Sequence, residues 1–240
     1  MIVQVSAKIQ PTARDLLLDA ARYLFWEKGY TATGVAELLQ RAQVNSGSFY
    51  HVFPSKEALL LAVLDDYLNG LEPAVLRPAF ARQHDPIERI FAILEGYRDK
   101  LLATGCQYGC PIGRLALEIE AENLPVHNRI AANFAAWTTA VRGCLEAARD
   151  RLPPHCDLDA LSTFVLTVME GGVMQARSFR RMEPFDRSAA QLRNYFQYLL
   201  ANRSARSQRA ASTIVSTPRF ANLRNGQTSR PPAIQTEEDP

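Results

Sequence analysis

The sequence predicts an all-α protein, with an N-terminal three-helix helix-turn-helix domain followed by a larger helical domain. Apolar residues recur at helical spacing along nearly the whole chain, and no segment alternates polar and apolar residues for long enough to predict a strand. Proline and glycine interrupt the pattern where helices are expected to end. With 240 residues, 47% hydrophobic and 22% charged, the chain has enough apolar material for a sizeable core.

The first two helices are predicted from the residues at their ends. Thr12 and Asp15 form a capping-box pair, and the apolar stripe that follows runs as far as Gly29, a residue typical of helix ends. A second, shorter helix is predicted to begin at Thr33 or Gly34.

The third helix has an outward face that suits nucleic acid better than a protein core. Asn45 is predicted to cap it, and Phe49 and Phe53, four residues apart, face inward. Small, hydroxylated or ring-bearing groups near a helix N-terminus suit contacts with phosphates and base edges. Those outward residues are Ser46, Gly47, Tyr50 and His51. Helices 2 and 3 thus predict a helix-turn-helix, with an ordinary packed helix as the alternative.

Later helices follow from apolar stripes and proline breaks. Ser55 is predicted to cap a fourth helix that reaches about Gly70, and Pro153-Pro154 and Pro184 are predicted to break later helices. From Arg203 onward Ser, Arg, Thr, Asn and Pro replace most large apolar residues, which predicts a disordered tail. The remaining helices are expected at about 85–103, 111–122, 126–151, 158–181 and 187–202.

Several classes of protein are disfavoured by composition. The N-terminus lacks the pattern of a secretory signal, and no apolar run approaches the roughly 18 residues of a membrane span. Four cysteines are too few for a disulfide scaffold. We therefore expect a cytoplasmic protein with reduced thiols. The net charge of +2 permits a nucleic-acid partner without arguing for one.

Residues 29–64, GYTATGVAELLQRAQVNSGSFYHVFPSKEALLLAVL, resemble the DNA-binding domain of TetR-family transcriptional regulators. Order, spacing and helix ends all agree, and the match covers about a quarter of the chain. Gln43 departs from the glycine usual in the turn, and a positive φ there would cost about 1 kcal/mol. The resemblance implies a helix-turn-helix domain at 1–54, a helical ligand-binding and dimerisation domain at 55–202, and the tail at 203–240.

The resemblance also implies roles for individual residues. Thr33 and Lys56 would contact phosphates, although a plain cap and a solvated cation are their alternatives. Residues that open the recognition helix, or project from it toward phosphates and bases, complete the predicted DNA-binding set. They are Ser46, Gly47, Ser48, Tyr50 and His51. The implied function is a repressor that binds a palindromic operator as a homodimer and is released by a small molecule or a reactive electrophile, without a cofactor.

The predicted dimer interface lies within residues 158–202. Apolar stripes there include Leu161, Val165, Val168, Gly172 and Phe179, followed by Leu192, Tyr195, Phe196 and Leu199. The pair Gly171-Gly172 inside a helix lowers helix stability by about 1 kcal/mol per residue relative to alanine. Such a cost is expected where the absence of a side chain lets two helices approach closely. Packing within one subunit is the alternative.

The ligand pocket is predicted from apolar or aromatic residues with polar tips on the middle helices. Tyr97, Phe134, Trp137 and Met169 are the candidates, and ordinary core packing is their alternative. Arg114, Glu118 and Glu122 share one helix face and are interpreted as a solvated salt-bridge face.

Cys110 adds a thiol to the predicted pocket. Residues 108–125, YGCPIGRLALEIEAENLP, resemble a motif in TetR regulators, some of which respond to electrophiles or oxidants. With Pro111 at the first helical position, Cys110 would be the N-cap, where the helix dipole lowers a thiol pKa. Cys106 would then be a resolving partner. The alternative is that Cys110 is a small buried hydrophobe in a noncovalent pocket.

Three other functions compete with the repressor. A metal site would use Cys106, Cys110, His127, His155 and Cys156, but only one cysteine pair has ligand spacing. An enzyme is disfavoured because no phosphate-binding loop, dinucleotide fingerprint or nucleophile elbow is present. A helical adaptor without DNA binding is the third.

Overall fold

The computed structural model describes residues 10–120 and 122–215, with side chains as far as Asn202. Every regular element in these ranges is helical, as predicted. None of the helices described there is both long and apolar enough to cross a membrane. The α-helices are α1 (Ala13–Lys28), α2 (Val35–Ala42), α3 (Ser46–Val52), α4 (Lys56–Leu71), α5 (Arg77–Arg82), α6 (Pro86–Ala103), α7 (Pro111–Glu118), α8 (Leu124–Ala147), α9 (Leu158–Phe179) and α10 (Glu183–Val215).

The N-terminal core joins the first three helices to α4, α7 and the start of α8. Its centre consists of side chains with no exposed surface, which include Leu17, Leu38, Phe49, Leu59 and Leu64. The capping box predicted at Thr12 and Asp15 is present, since each residue accepts a hydrogen bond from the backbone N–H of the other. Helix α4 packs against α1 and also against α8, so it links this core to the rest of the chain.

The second core lies between α6, α8, α9 and α10. Ile90, Val141 and Val165 are fully buried in it, and Phe91 packs edge-to-face on Phe196 with ring centroids 5.6 Å apart. Helices α8 and α9 form a long antiparallel pair. This pair contributes one wall of the internal cavity described below.

Several predicted helix boundaries were wrong. Helix α7 ends at Glu118 because Ile119 is extended, with φ −85° and ψ 133°. Pro184 does not break a helix; it lies in the first turn of α10, where a missing N–H removes no intrahelical hydrogen bond. A π-helical turn at Glu72–Leu76 and the short α5 were not predicted.

Helix α10 also differs from its predicted end near residue 202. It extends to Val215, through the first part of the segment predicted to be disordered. Alanine and arginine, which favour helices, are frequent in this stretch and account for the extension. The compact unit ends at Arg203, and residues 216–240 of the predicted tail lie outside the described residues.

The close approach predicted at Gly171-Gly172 occurs within the chain. A Cβ at Gly172 would lie 3.1 Å from a ring carbon of Phe185, at the start of α10. A Cβ at Gly171 would meet nothing within 4 Å. Gly172 therefore brings α9 against α10, whereas Gly171 lies on an open surface.

Candidate nucleic-acid interface and internal cavity

The turn between α2 and α3 adopts the left-handed geometry anticipated for Gln43. Its φ is 56° and its ψ is 38°, a conformation that costs a non-glycine residue about 1 kcal/mol. Asn45 caps α3 as predicted, because its side-chain oxygen accepts from the Ser48 N–H at 2.8 Å. Phe49 is fully buried and anchors α3 on α1. Although α3 is short, the Asn45 cap fixes its N-terminus and Phe49 fixes the face that packs on α1.

The outer face of α3 holds the predicted DNA-contacting residues together. Ser46, Gly47 and His51 are exposed, and Ser48 is half-buried. Tyr50 is 58% exposed and stands edge-to-face on the buried Phe49 ring, with centroids 5.1 Å apart. The packing below Tyr50 fixes its ring while leaving its hydroxyl exposed, an arrangement suited to a phosphate or base edge.

Thr33 does not lie on this surface. Its side chain is completely buried, and its hydroxyl donates to the Gly29 carbonyl at 2.6 Å. The group therefore satisfies a carbonyl at the end of α1. The Thr33 side chain is therefore not accessible to a phosphate in this structure, and the N-cap of α2 is Gly34 instead.

Lys56 is likewise held inside the fold. Its ammonium donates to the carbonyls of Tyr30 at 3.0 Å and Thr33 at 2.9 Å, and it lies 4.1 Å from the centroid of the Tyr30 ring. Burial lowers the pKa of this ammonium. Lys56 is therefore not the mobile phosphate-binding charge that was expected. It ties the first turn of α4 to the connection between α1 and α2.

A cavity of about 400 Å³ lies between α1, α4, α6, α8 and α9. All five residues predicted to bind a ligand line it: Tyr97, Cys110, Phe134, Trp137 and Met169. Its size falls in the range of small-molecule sites, and its walls are mainly apolar and aromatic. The predicted residues are thus brought together at one place.

The cavity also has walls that the sequence did not reveal. Trp26 from α1 and Tyr67 from α4 both line it, and so does Tyr108. Trp26 and Tyr108 pack on each other with ring centroids 4.9 Å apart. Because Trp26 belongs to the N-terminal core helix, the cavity reaches the helix-turn-helix domain directly.

Cys110 caps α7 as predicted, but its thiol is not activated. Its sulfur accepts from the Gly113 N–H at 3.5 Å, which favours the thiolate. Burial and the adjacent Glu170 carboxyl outweigh that contact and raise the pKa of the Cys110 thiol. Cys106 is also buried, and burial raises its thiol pKa too. The expectation of a lowered Cys110 pKa was therefore wrong, because the dipole argument left out desolvation.

Glu170 is the buried acid of the cavity. Gly113 makes room for it, since a Cβ at that position would lie 2.6 Å from Glu170 Oε2. Burial raises the pKa of the Glu170 carboxyl, and contact with Cys110 lowers it by less. The neutral form of this acid therefore persists to higher pH than in a solvated glutamate.

The segment that bears Cys110 is clamped to the end of α1. The Trp26 indole donates to the Gly109 carbonyl at 2.7 Å. The Tyr108 hydroxyl donates to Glu27 Oε1 at 3.1 Å. Both contacts join positions more than 80 residues apart. We call residues 108–118 the clamp segment, because they contact the N-terminal helices while also forming part of the cavity wall.

Arg114 and Glu118 complete this attachment. Arg114 Nε donates to Glu118 Oε1 at 2.7 Å, and Arg114 Nη1 donates to the Glu27 carbonyl at 3.1 Å. Glu118 Oε2 accepts from the Thr31 N–H at 3.2 Å. The two side chains are only 19% and 21% exposed. The interpretation as a solvated face was therefore wrong for this pair, although Glu122 is exposed.

Gly29 makes the approach of Glu118 possible. Its φ is 95°, which side-chain-bearing residues rarely adopt, and a Cβ there would overlap the Glu118 carboxylate. Gly29, which ends α1, therefore also leaves the space into which Glu118 of the clamp segment packs.

The described residues offer no metal site. Among them, no three His, Cys, Asp or Glu side chains lie close enough together to hold an ion. The four cysteines have free thiols.

Comparisons with known protein families agree with the helical architecture. The model for bacterial regulatory proteins of the tetR family matches residues 17–63. The model for the tetracyclin repressor-like C-terminal domain matches residues 86–192. Together the two matches cover more than half of the chain.

Curated relatives span most of the chain. An uncharacterized HTH-type transcriptional regulator of Mycobacterium tuberculosis is 31% identical over 196 residues, which is 80% of this chain and 97% of that protein. The HTH-type transcriptional repressor DhaR of Mycobacterium sp. strain GP1 is 26% identical over 72% of this chain and 86% of its own. The repressor NemR of Escherichia coli is 27% identical over 75% and 92%.

Solved structures share the fold. The regulatory protein TetR from Rhodobacter sphaeroides superposes with a TM-score of 0.70 at 26% identity, covering 75% of this chain and 96% of that one. The reduced form of Escherichia coli NemR superposes with a TM-score of 0.66 at 24% identity, covering 76% and 96%.

The clamp contacts are testable by changing Arg114 to Met. This substitution leaves the partly buried Glu118 carboxylate and the Glu27 carbonyl without their donor, so we expect a loss of about 2–3 kcal/mol in the free energy of unfolding. Arg142→Met is the matched control, because the Arg142–Asp159 pair is largely exposed and is expected to contribute less than about 1 kcal/mol. Urea denaturation measures both. Equal losses in the two variants would contradict the clamp.

Proposed function

The chain belongs to the TetR family of bacterial regulatory proteins, and from this we propose that it is a repressor that binds a palindromic operator as a homodimer and is released by a small molecule. The observation that carries the proposal is the clamp segment, residues 108–118, which contacts both the internal cavity and the helix-turn-helix domain. The names of two relatives, DhaR and NemR, describe them as transcriptional repressors, which supports repression.

The exposed end of α3 is the proposed DNA-reading surface. Ser46, Gly47, Ser48, Tyr50 and His51 project from one short helix whose inner face is fixed by Phe49. Thr33 and Lys56 act behind it by holding the connection between α1 and α2. A single short helix reads few base pairs, so a two-fold dimer that presents two such helices suits a palindromic site.

The proposed dimer surface lies on α9 and α10. Phe164 and Tyr195 are exposed and pack on each other, with ring centroids 5.7 Å apart. Further exposed apolar side chains lie on the same two helices: Met174, Phe179 and Tyr198. A cluster of this kind is unusual on a monomer and marks an interaction surface. Leu161, Val165, Leu192 and Phe196 are instead buried within the chain, so part of the predicted stripe serves intrasubunit packing.

The clamp segment supports a route from the cavity to the DNA-reading surface. A ligand that displaces Tyr108, Gly109 or Cys110 disturbs the hydrogen bonds that these residues make to Trp26 and Glu27. Movement of α7 then carries the Glu118 carboxylate, which holds the Thr31 N–H just before α2. The orientation of α2 and α3 therefore depends on what occupies the cavity.

A noncovalent ligand fits this cavity better than a thiol reaction. The NemR structure is described as a reduced form, and residues 108–125 resemble a motif associated with electrophile responses. In this chain, however, burial and the adjacent Glu170 carboxyl raise the pKa of the Cys110 thiol, which disfavours the thiolate, the strongly nucleophilic form. The proposed inducer therefore binds beside Cys110 without reacting with it.

Changing Tyr50 to Ala tests the DNA-reading surface. Since the side chain is exposed, we expect an unchanged melting temperature and a loss of about 1–3 kcal/mol in operator binding. A gel-shift titration against DNA from upstream of the protein's own gene, at fixed salt, measures this loss. Leu102→Ala, an exposed apolar residue on α6, is the control. Unchanged affinity in the Tyr50 variant would remove Tyr50 from the interface.

Changing Phe164 to Glu tests the dimer. A carboxylate at this position would be buried against the partner surface, so we expect the protein to become monomeric and to lose operator affinity. Light scattering after size-exclusion chromatography gives the mass. Leu102→Glu introduces the same charge on another face and should leave the mass unchanged. A Phe164 variant that remains dimeric would place the interface elsewhere.

Changing Cys110 to Ser tests the choice between noncovalent and covalent induction. Because the thiol pKa is raised, alkylation of native Cys110 should be slow at pH 7–8 and should accelerate only above the pH range in which an ordinary cysteine ionises. The serine variant should bind operator as wild type does. DNA release by a quinone or hypochlorite in wild type, but not in the variant, would establish the thiol mechanism instead.

A further inference from the structure

Two polar atoms on the cavity wall have no hydrogen-bond partner. Within the described part of the chain, Trp137 Nε1 and Glu170 Oε1 are the buried side-chain nitrogen and oxygen atoms left unpaired. The Trp137 side chain is only 4% exposed. Tyr97 approaches this indole edge-on, with ring centroids 6.4 Å apart, and its hydroxyl interacts weakly with the indole without forming a well-aligned hydrogen bond to Nε1. Since buried polar groups are nearly always paired, two such atoms on one cavity favour a ligand that pairs with them.

The chemistry of the two atoms restricts that ligand. An indole N–H can only donate, whereas a carboxyl oxygen accepts when ionised. A hydroxyl group has the chemistry to meet either need, because its oxygen accepts from an indole N–H and its proton is donated to a carboxyl oxygen. The raised pKa of Glu170 does not alter this match, since a neutral carboxyl still has an oxygen that accepts.

The charges on the wall favour an uncharged ligand. Four ionisable side chains with a formal charge line the cavity: Arg22 and Lys100 are basic, and Asp66 and Glu170 are acidic, so the two pairs of charges cancel. Arg22 Nη1 already donates to Asp66 Oδ2 at 2.8 Å. An anion would meet the Glu170 carboxyl at the unpaired position, and an ammonium would leave the Trp137 N–H without an acceptor.

We propose that the cavity takes an uncharged aromatic molecule that bears one hydroxyl group, with the hydroxyl between Trp137 Nε1 and Glu170 and the ring against the aromatic walls. Trp26, Tyr67 and Phe134 supply those walls. The identity of this ligand class deepens, and rests on, the proposed role of the cavity as the inducer site.

A matched series of bicyclic probes tests the ligand class on the full-length protein without DNA. The probes are 2-naphthol, naphthalene, 2-naphthoate and 2-naphthylmethylammonium, each titrated by calorimetry at pH 7. We expect 2-naphthol to bind about tenfold more tightly than each of the others, because only it pairs with both atoms. Failure of all four to bind, or equal or tighter binding of either ion, overturns the proposal.

Variants test the two atoms separately. Trp137→Phe removes the donor and keeps an aromatic ring on the cavity wall, so it should weaken 2-naphthol about tenfold more than it weakens naphthalene. Glu170→Met should weaken 2-naphthol similarly, whereas Glu170→Gln, which retains an oxygen acceptor, should preserve binding. Because Trp137 is only 4% exposed, Trp137→Phe also removes buried carbon atoms and should lower the melting temperature modestly, so the comparison with naphthalene, and not stability, isolates the donor. Undiminished 2-naphthol affinity in Trp137→Phe, or a loss shared equally by naphthalene, overturns the assignment of the hydroxyl.

Release of operator DNA is measured separately with 2-naphthol. Binding with the expected selectivity but without release would contradict the proposed inducer role and leave the ligand class intact. Loss of the selectivity, with operator binding retained, would overturn the ligand class alone. Tyr50→Ala should bind 2-naphthol as wild type does, which separates the two surfaces.

Discussion

The ion pair between Arg114 and Glu118 is the interaction on which the joint between the clamp segment and the helix-turn-helix depends. It is held against backbone groups of Glu27 and Thr31 in a place where little water reaches it. A partly buried pair of this kind is stable only when its remaining donors and acceptors are satisfied. The backbone at the end of α1 satisfies them, and Gly29 provides the space. The helix-turn-helix is thereby attached to α7 as well as to α4.

The same joint explains why the cavity lies where it does. Aromatic side chains from α1 and the clamp segment pack on one another at its edge, and the cavity lies where the two cores and the clamp segment meet. Cys110 both caps α7 and packs against the two cores. A ligand that contacts Cys110 in the cavity therefore affects the helix end and the packing together.

Local chemistry made much of this architecture predictable. The caps at Thr12 and Asn45 follow from spacing and residue type, whereas the left-handed turn at Gln43 and a ligand-binding domain were implied by the family resemblance. Errors arose where burial by distant segments decided the outcome. Lys56 finds its carbonyl partners 26 and 23 residues away, and Arg114 finds one 87 residues away. Helical periodicity says nothing about such partners.

Trp26 belongs at once to the helix that supports the DNA-reading domain and to the wall of the cavity. If occupancy of the cavity weakens operator binding by some factor, operator binding must weaken ligand binding by the same factor. DNA then acts as a thermodynamic competitor of the ligand, although the two never touch. An affinity determined on free protein would accordingly exceed the affinity shown on the chromosome, and the concentration needed for a response would rise with the number of operator sites available.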